Sequence, residues 1–282
     1  MNLPSRQLTE DTTPRPTAGL VAPAGRDGHL IALDVDGTLL DGEHLAPDVR
    51  AAVSKLAARM HVVLATGRCV VSTKLVADRL GLFDGYAVCS NGAAVVHLGT
   101  GEPVLMTTFE PGPAVRTLLQ YMPAALVAVE EFGVGYRVSA PFPPGELTGI
   151  QRVQPLDELL DGPAPRVVVC RPGWSAASLH EVLARVGLHG VTYAVGTTAW
   201  LDLTPDGVTK AAGLEHVRSW LDVPPHRTTA IGDGHNDIDM LRWAHQGLAM
   251  AEAAPEVQAA ADAVIGSVRD AAVARELTHR FG

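Results

Sequence analysis

Long apolar runs and cysteine are both scarce in this sequence. No stretch approaches the roughly 20 consecutive apolar residues that a membrane-spanning helix needs, so we expect no association with a membrane. The three cysteines, Cys69, Cys89 and Cys170, lie far apart and form no CxxC pair, which argues against a disulfide framework and a thiolate zinc site. The N-terminus also lacks the basic start and apolar run of a secretory signal. These absences predict a soluble protein of the reducing cytoplasm.

Basic residues are outnumbered as well. The 282 residues include 22 Lys and Arg against 31 Asp and Glu, which gives a formal net charge of −9. A surface of this sign disfavours binding to nucleic acid or to anionic lipid. Hydrophobic residues make up 47% of the chain, enough apolar surface to exclude disorder of the whole protein. We therefore expect a folded enzyme with no nucleic-acid partner, while no feature of the sequence indicates an oligomeric state.

The chain divides into a tail, a split domain and an insertion. Residues 1–28 contain four prolines and no helical or strand period, which predicts a mobile tail. From residue 29 to residue 92 strand and helix patterns alternate as β-α-β-α-β, and the same rhythm returns after residue 205. Such alternation is typical of a parallel sheet covered by helices.

The segment between these two stretches, residues 93–204, is far too long for a single crossover. It contains three β-like segments and one helical pattern, at residues 135–138, 167–170, 191–195 and 175–186. We therefore predict a core domain formed by residues 29–92 and 205–282, with an α+β domain inserted at residues 93–204.

Two carboxylates follow the first predicted strand. Asp34 and Asp36 are two residues apart, so a strand that ends here would place them side by side at its carboxyl end, the binding edge of an α/β sheet. Carboxylates this close repel each other, which suggests either a bound metal or a division into charged nucleophile and protonated acid. The alternatives are a solvated Asp-Gly turn or a calcium loop. An EF-hand is excluded, because it would need Gly at Leu39 and Glu at Leu45.

A second acidic cluster follows a later strand. Residues 232–237 read GDGHND and contain Asp233, Asn236 and Asp237 before a predicted helix. Such a loop can hold a hard cation, although an ordinary acidic turn is the alternative. An EF-hand is again excluded, because the twelfth residue counted from Asp233 is Ala244.

Thr66 and Lys210 favour a functional site over ordinary acidic turns. Thr66 follows the second strand, and Lys210 begins a helix, where the helix dipole disfavours a cation unless an anion is bound nearby. A strand-end carboxylate pair, a strand-end hydroxyl, a helix-start ammonium and an acidic loop converge on a site for a phosphate and its metal.

The four segments, in this order, resemble the haloacid dehalogenase (HAD) superfamily of phosphohydrolases. The correspondence consists of DxDGT at residues 34–38, Thr66, Lys210 and GDGxND at residues 232–237. The inserted segment, together with SNGA at residues 90–93 and GVTK at residues 207–210, resembles the Cof-type branch, subfamily IIB, with its large α+β cap. The resemblance implies an α/β fold, in which a Rossmann-like parallel sheet with helices on both faces carries an inserted α+β cap domain.

The resemblance also implies catalytic roles. Asp34 would attack phosphorus to form an aspartyl-phosphate, and Asp36 would protonate the leaving oxygen and then activate water. Thr66 and Lys210 would hold the phosphoryl oxygens, and Asn236 would donate a hydrogen bond to the phosphoryl group or the substrate.

Further implied roles concern the metal and the substrate. Mg²⁺ would bind the Asp34 carboxylate, the Asp36 backbone carbonyl and Asp233, with Asp237 in support. Arg68 and Asn91 would line the site, although a surface charge at a helix start and a left-handed turn residue are equally open interpretations of them.

One departure from the family concerns the loop at residues 250–253. Relatives have Met-Gly-Asn-Ala where this chain has Met250, Ala251, Glu252 and Ala253. We expect this loop to point away from the site, with altered substrate choice as the alternative.

The function expected from the resemblance is hydrolysis of a small phosphorylated metabolite by a Mg²⁺-dependent phosphatase. Sugar phosphates, nucleotide-like cofactor precursors and pyridoxal phosphate are candidate substrates. The alternatives are a phosphomutase, a phosphatase dedicated to one disaccharide phosphate, and a sensor that binds a phospholigand without catalysis.

Overall fold

The computed structural model describes residues 27–195 and 198–282. Residues 1–26 of the predicted tail therefore lie outside the described residues. Within the described residues, no helix has both the length and the apolar character that a membrane span requires.

The described residues form two sheets with helices packed against them. The strands are β1 (Leu30–Leu33), β2 (His61–Ala65), β3 (Tyr86–Cys89), β4 (Ala94–His97), β5 (Pro103–Met106), β6 (Leu126–Glu131), β7 (Gly135–Val138), β8 (Ile150–Val153), β9 (Val167–Ser175), β10 (Val191–Val195), β11 (Thr198–Pro205), β12 (Thr228–Gly232), β13 (Gln246–Ala249) and β14 (Ala263–Val264). The α-helices are α1 (Pro47–Ala57), α2 (Val70–Leu80), α3 (Gly112–Tyr121), α4 (Leu156–Leu159), α5 (Ala176–Val186), α6 (Lys210–Trp220), α7 (Ile238–Trp243), α8 (Pro255–Gln258) and α9 (Ala272–Phe281).

The larger sheet has the strand order β14-β13-β12-β1-β2-β3-β4-β5. Strands β14 to β3 run parallel, and β4 and β5 are antiparallel to their neighbours. In β1, Ile31 and Leu33 pack under α1, α2 and α9, whereas Leu30 and Ala32 pack under α6 and α7. Because successive side chains of a strand point to opposite faces, both faces of β1 are buried beneath helices. The predicted parallel α/β sheet is confirmed.

The smaller sheet belongs to the inserted α+β domain, which we call the cap. Its strand order is β10-β11-β9-β6-β7-β8, and all neighbours are antiparallel except β7 and β8. Helices α3 and α5 cover one face of this sheet. The other face packs against Cys69 and Val71 at the start of α2. The face of the cap sheet that carries no cap helix is therefore the one that contacts the core.

The boundary between core and cap differs from the one predicted at residue 92. Strands β4 and β5 pair with β3 in the larger sheet, so that sheet extends to Met106. The reason is burial: Ala94, Val95 and Val96 complete the two apolar layers of the core. A hairpin at the sheet edge has no motif that separates it from the strands of the insertion.

Four neighbouring strands of the larger sheet, β12, β1, β2 and β3, end at the same edge. The residues that directly follow them are Asp233, Asp34, Thr66 and Ser90. The carboxyl edge of a parallel sheet thus gathers side chains that are far apart in sequence.

Helix α6 brings Lys210 to this edge through its N-cap. Thr209 has an extended backbone, and its hydroxyl accepts a hydrogen bond of 3.2 Å from the Ala212 N–H. This contact satisfies one of the amides that the first helical turn leaves unpaired.

We predict that Thr209→Ala lowers the free energy of unfolding by about 1 kcal/mol, because the cap is lost. Thr209→Ser keeps the hydroxyl and serves as the control, with a much smaller loss. Urea denaturation of the three proteins measures the difference, and equal losses in the two variants would show that the cap does not stabilise α6.

Candidate active site

A buried ammonium lies between two aspartates at the carboxyl edge of the larger sheet. Lys210 Nζ is 2.6 Å from Asp34 Oδ1 and 2.5 Å from Asp237 Oδ1. The Lys210 side chain is 1% exposed, and both carboxylates are buried. The charge of each partner is therefore largely compensated by its neighbours rather than by water.

Negative charge exceeds positive charge in this cluster. Burial raises the pKa of Asp34 well above its usual value, and repulsion from Asp237 raises it further, whereas Lys210 opposes the shift. Burial also raises the pKa of Asp233 to about 6. Burial alone would lower the pKa of Lys210, but attraction to Asp237 and Asp34 outweighs it and raises that pKa. For Asp34 and Asp233, burial and the neighbouring carboxylate thus outweigh the effect of the single ammonium.

The same carboxylates fit a divalent cation. Asp34, Asp233 and Asp237 each offer a ligand oxygen, and these oxygens lie within 4.8 Å of one another. Carboxylate oxygens are the ligands that Mg²⁺ prefers. A cation here would also supply the positive charge that the cluster lacks, so the residues present fit the metal that the sequence predicts.

The loop after β12 is built around Asp237. Its Oδ2 accepts hydrogen bonds from the backbone N–H groups of Asp233, at 2.9 Å, and Gly234, at 2.8 Å. Because its Oδ1 contacts Lys210, both oxygens of Asp237 have partners within the site. Asp233 is held separately, since its Oδ1 accepts a hydrogen bond of 2.8 Å from the Thr38 hydroxyl.

Gly37 lets the chain turn beside Asp233. Its φ is +82°, and a Cβ at this position would lie 2.3 Å from Asp233 Oδ2. A side chain is therefore excluded both by backbone conformation and by space.

Asp36 differs from Asp34 in its surroundings. The regular part of β1 ends at Leu33, so the expectation that strand alternation would pair the two carboxylates is not met. The Asp36 side chain is 56% exposed, and Arg68 holds it through Nε–Oδ2 and Nη2–Oδ1 contacts of 2.9 and 2.6 Å. Within the described residues, the Asp36 carboxylate is not part of the acidic group that could share a cation.

Thr66 and Arg68 lie on the loop that follows β2. Thr66 is fully buried, and its hydroxyl accepts a 3.1 Å hydrogen bond from the Arg68 N–H. Arg68 also donates to the Ser72 hydroxyl at 3.0 Å, which ties its guanidinium to α2. The Arg68 guanidinium thus lies between Asp36 and the first turn of α2.

Asn91 and Asn236 contact each other, although they are far apart in sequence. Asn236 Nδ2 donates to Asn91 Oδ1 at 2.9 Å, and Asn91 Nδ2 donates to Asp202 Oδ2 of the cap at 3.2 Å. Asn91 also has a φ of 56°, the left-handed turn conformation that was one of the two interpretations offered by the sequence.

Cavities between core and cap flank this contact. A cavity of about 260 Å³ is lined by Lys210, Asn91 and Asn236 together with β10 residues. A second, of about 290 Å³, is lined by Asp36 and Arg68 from the core and by Tyr136, Arg166 and Trp200 from the cap. Each has the size of a small ligand.

The cap residues that line these cavities belong to no sequence motif. A signal exists for the β11 residues, because Trp200 and Asp202 alternate with the buried Leu201 and Leu203. That alternation predicts a strand with one polar face. Arg166 lies outside any such pattern, and only the structure identifies it.

Glu252, which stands where the resemblance implies an Asn, contacts a residue outside the acidic cluster. Its carboxylate accepts a hydrogen bond from the Ser267 hydroxyl, and the side chain is exposed. It lies outside the acidic cluster around Lys210, within the residues that the structure describes.

Comparison with known proteins identifies relatives over most of the chain. A family model for haloacid dehalogenase-like hydrolases matches residues 31–128 and 180–277. A phosphoglycolate phosphatase of Natronomonas pharaonis is 30% identical over 235 residues, which are 83% of this chain and 89% of that protein. An HMP-PP phosphatase of Serratia proteamaculans is 28% identical over 263 residues, or 89% of this chain and 94% of that protein.

Solved structures share the whole architecture. A sugar phosphatase of HAD subclass IIB matches with a TM-score of 0.76 and 21% sequence identity, covering 89% of this chain and 98% of that one. At this identity the likeness shows the fold alone. Together with the family match, it confirms the resemblance that the four motifs indicate. The chain belongs to the haloacid dehalogenase-like hydrolases.

Proposed function

We propose that the protein is a Mg²⁺-dependent phosphatase that hydrolyses a small phosphorylated metabolite through an aspartyl-phosphate on Asp34. The observation that carries this proposal is the Lys210 ammonium, buried between Asp34 and Asp237 beside Asp233. An ammonium fixed against the carboxylate that follows β1 suits the stabilisation of negative charge on a transferring phosphoryl group.

The proposed reaction begins with attack by an Asp34 carboxylate oxygen on phosphorus, as the bond from phosphorus to the leaving oxygen breaks. Lys210 Nζ, the Thr66 hydroxyl and the Asn236 amide would hold the phosphoryl oxygens. Mg²⁺, held by Asp34, Asp233 and the Asp36 carbonyl with Asp237 in support, would neutralise charge on the phosphoryl group.

Asp36 would give a proton to the leaving oxygen and later accept one from the water that hydrolyses the aspartyl-phosphate. Its contact with Arg68 keeps it on the side of the 290 Å³ cavity, where a leaving group would lie. Both Asp36 oxygens accept hydrogen bonds from Arg68, so that contact has to loosen before Asp36 can reach the leaving oxygen. Arg68 and Asn91 are accordingly proposed to lie beside the substrate.

A small substrate is favoured by the position of the cap. Both cavities are lined by core and cap residues together, so the cap covers the site. The two relatives named above are a phosphoglycolate phosphatase and an HMP-PP phosphatase, names that point to different small phosphorylated molecules. The substrate class proposed here is correspondingly broad: sugar phosphates, nucleotide-like cofactor precursors and pyridoxal phosphate.

The experiment that tests this function is phosphate release from a panel of such metabolites and from p-nitrophenyl phosphate, with Mg²⁺ or with EDTA. We expect turnover that EDTA abolishes and that Asp34→Asn removes, because an amide is a poor nucleophile. Asp78→Asn is the control, since Asp78 is exposed on α2 and pairs with Lys74 away from the acidic cluster. Phosphate binding without turnover would instead support a sensor, and turnover by Asp34→Asn would refute the nucleophile.

A second prediction concerns Gly37. Gly37→Ala introduces a Cβ that collides with the Asp233 carboxylate, and we expect a loss of turnover of about a hundredfold, as for a misplaced catalytic group. Gly42→Ala is the matched control, because Gly42 also has positive φ, at +60°, but no atom lies within 4 Å of the added Cβ. It should share the backbone cost of about 1 kcal/mol and keep its turnover. Equal kcat/KM values for the two variants would show that Gly37 does not act through Asp233.

A further inference from the structure

The turn after β3 is fixed to the core from three sides. The Asn91 N–H donates to the Thr66 carbonyl at 3.0 Å, and the Ser90 N–H donates to the Arg68 carbonyl at 2.9 Å. A Cβ on Gly92 would lie 2.1 Å from the Thr209 carbonyl oxygen, so the turn also lies directly against the start of α6. The backbone of this turn is thus held in place by the loops that carry the site.

Two cap carboxylates contact the side chains of this turn. Ser90 Oγ donates to Glu130 Oε2 at 2.7 Å, and Asn91 Nδ2 donates to Asp202 Oδ2 at 3.2 Å. Glu130 lies on β6 and Asp202 on β11, so the contacts come from two different cap strands. The cap is therefore joined to the site through hydrogen bonds as well as through apolar packing.

The two carboxylate oxygens of Asp202 accept hydrogen bonds from different domains. Oδ1 accepts from Arg166 Nε and Nη2, at 2.9 and 2.7 Å, and from Trp200 Nε1 at 3.1 Å, all within the cap. Oδ2 accepts from Asn91 of the core. Arg166 is itself buried and donates to the Tyr136 hydroxyl at 3.1 Å. The cap thus holds Asp202 rigidly with one oxygen towards the core.

A carboxylate in this position orients two amides in sequence. An ionised carboxylate only accepts hydrogen bonds, so Asn91 must present its NH₂ to Asp202. Its carbonyl oxygen then faces Asn236, which in turn must present its own NH₂. Each NH₂ group keeps a second N–H, and both side chains line the cavity that also contains Lys210.

We infer that Asp202 is a positioning residue of the cap, which orients the amides of Asn91 and Asn236 for the phosphoryl group; this inference rests on the function proposed above. It acts only when the cap lies against the core, since its Oδ2 contact crosses between them. When the cap lies against the core, the amides of Asn91 and Asn236 are oriented at the same time. Both donors are therefore correctly oriented before substrate chemistry begins.

Asp202→Asn should reverse the direction of these hydrogen bonds. Arg166 and Trp200 donate to the Oδ1 position, so an Asn here has to keep its oxygen at that place. Its NH₂ then faces Asn91, which has to turn its carbonyl towards it, and Asn236 has to reverse as well. The variant conserves volume but inverts the hydrogen bonds of both amides.

The test is a double-mutant cycle of Asp202→Asn with Asn91→Gly, read by calorimetric binding of inorganic phosphate in the presence of Mg²⁺. Gly removes the amide of Asn91 and tolerates its positive φ. We expect Asp202→Asn to weaken phosphate binding about tenfold in the wild-type background, as loss of one hydrogen bond to a charged group would do. In the Asn91→Gly background it should have almost no further effect, because Asp202 acts through Asn91. Asp157→Asn is the control, since Asp157 is an exposed cap carboxylate paired with Arg116.

Additive effects of the two substitutions, or unchanged phosphate binding by Asp202→Asn, would overturn the inference. Asp202→Glu controls for an effect of lost stability alone, because a glutamate carboxylate also only accepts hydrogen bonds. We expect the Asp202→Glu protein to bind phosphate more tightly than the Asp202→Asn protein. The reverse order of affinities would also overturn the inference. Turnover of p-nitrophenyl phosphate by the wild type tests the proposed function separately. Coupling between the two positions in a protein without turnover would contradict the phosphatase proposal and leave Asp202 as a positioning residue for phosphate.

Discussion

The buried ammonium of Lys210 is the interaction on which the rest of the site depends. Breaking a buried ion pair by removal of one partner costs about 3 to 5 kcal/mol, so the contacts of Lys210 with Asp34 and Asp237 fix three elements relative to one another. These elements are the end of β1, the start of α6 and the loop after β12. Local hydrogen bonds place the charged groups in each element. The N-cap at Thr209 fixes the start of α6, which carries Lys210, and the backbone bonds to Asp237 Oδ2 fix the Asp237 carboxylate in its loop.

Incomplete neutralisation gives this cluster its chemistry. Three carboxylates lie around one ammonium, and loss of hydration on burial raises the pKa of Asp34 and Asp233, with repulsion from Asp237 as a further cause. In the proposed function, a cation and an incoming phosphate would supply the charge partners that this cluster lacks. The cap adds a second layer of control, since Asp202 and Glu130 reach the turn at residues 90–92 from outside the core.

The acidic residues of the site could be predicted from sequence because each lies in a short motif directly after a strand. Asp34 and the acidic loop at residues 232–237 each follow a short apolar strand, and parallel strands bring such residues to one edge whatever the intervening chain does. The sequence predicts that the edge hairpin of β4 and β5 belongs to the insertion, whereas the structure pairs it with β3. The pattern of a single strand does not encode its pairing partner at a sheet edge. The contact of Arg68 with Asp36 joins two loops of the core, and the network around Arg166 joins neighbouring strands of the cap. Both depend on tertiary packing, which no sequence periodicity reports.

The most direct test of the central role of the Lys210 cluster is calorimetric titration of the protein with Mg²⁺ alone, without any phosphate compound. We predict one Mg²⁺ per chain, with binding weakened at least about tenfold in Asp233→Asn, as expected when a charged ligand is lost from a metal site. Glu43→Gln is the control, because Glu43 is an exposed carboxylate that contacts Arg68 outside the cluster. Equal Mg²⁺ affinity in the wild type and Asp233→Asn would contradict the assignment of the under-neutralised cluster as the metal site.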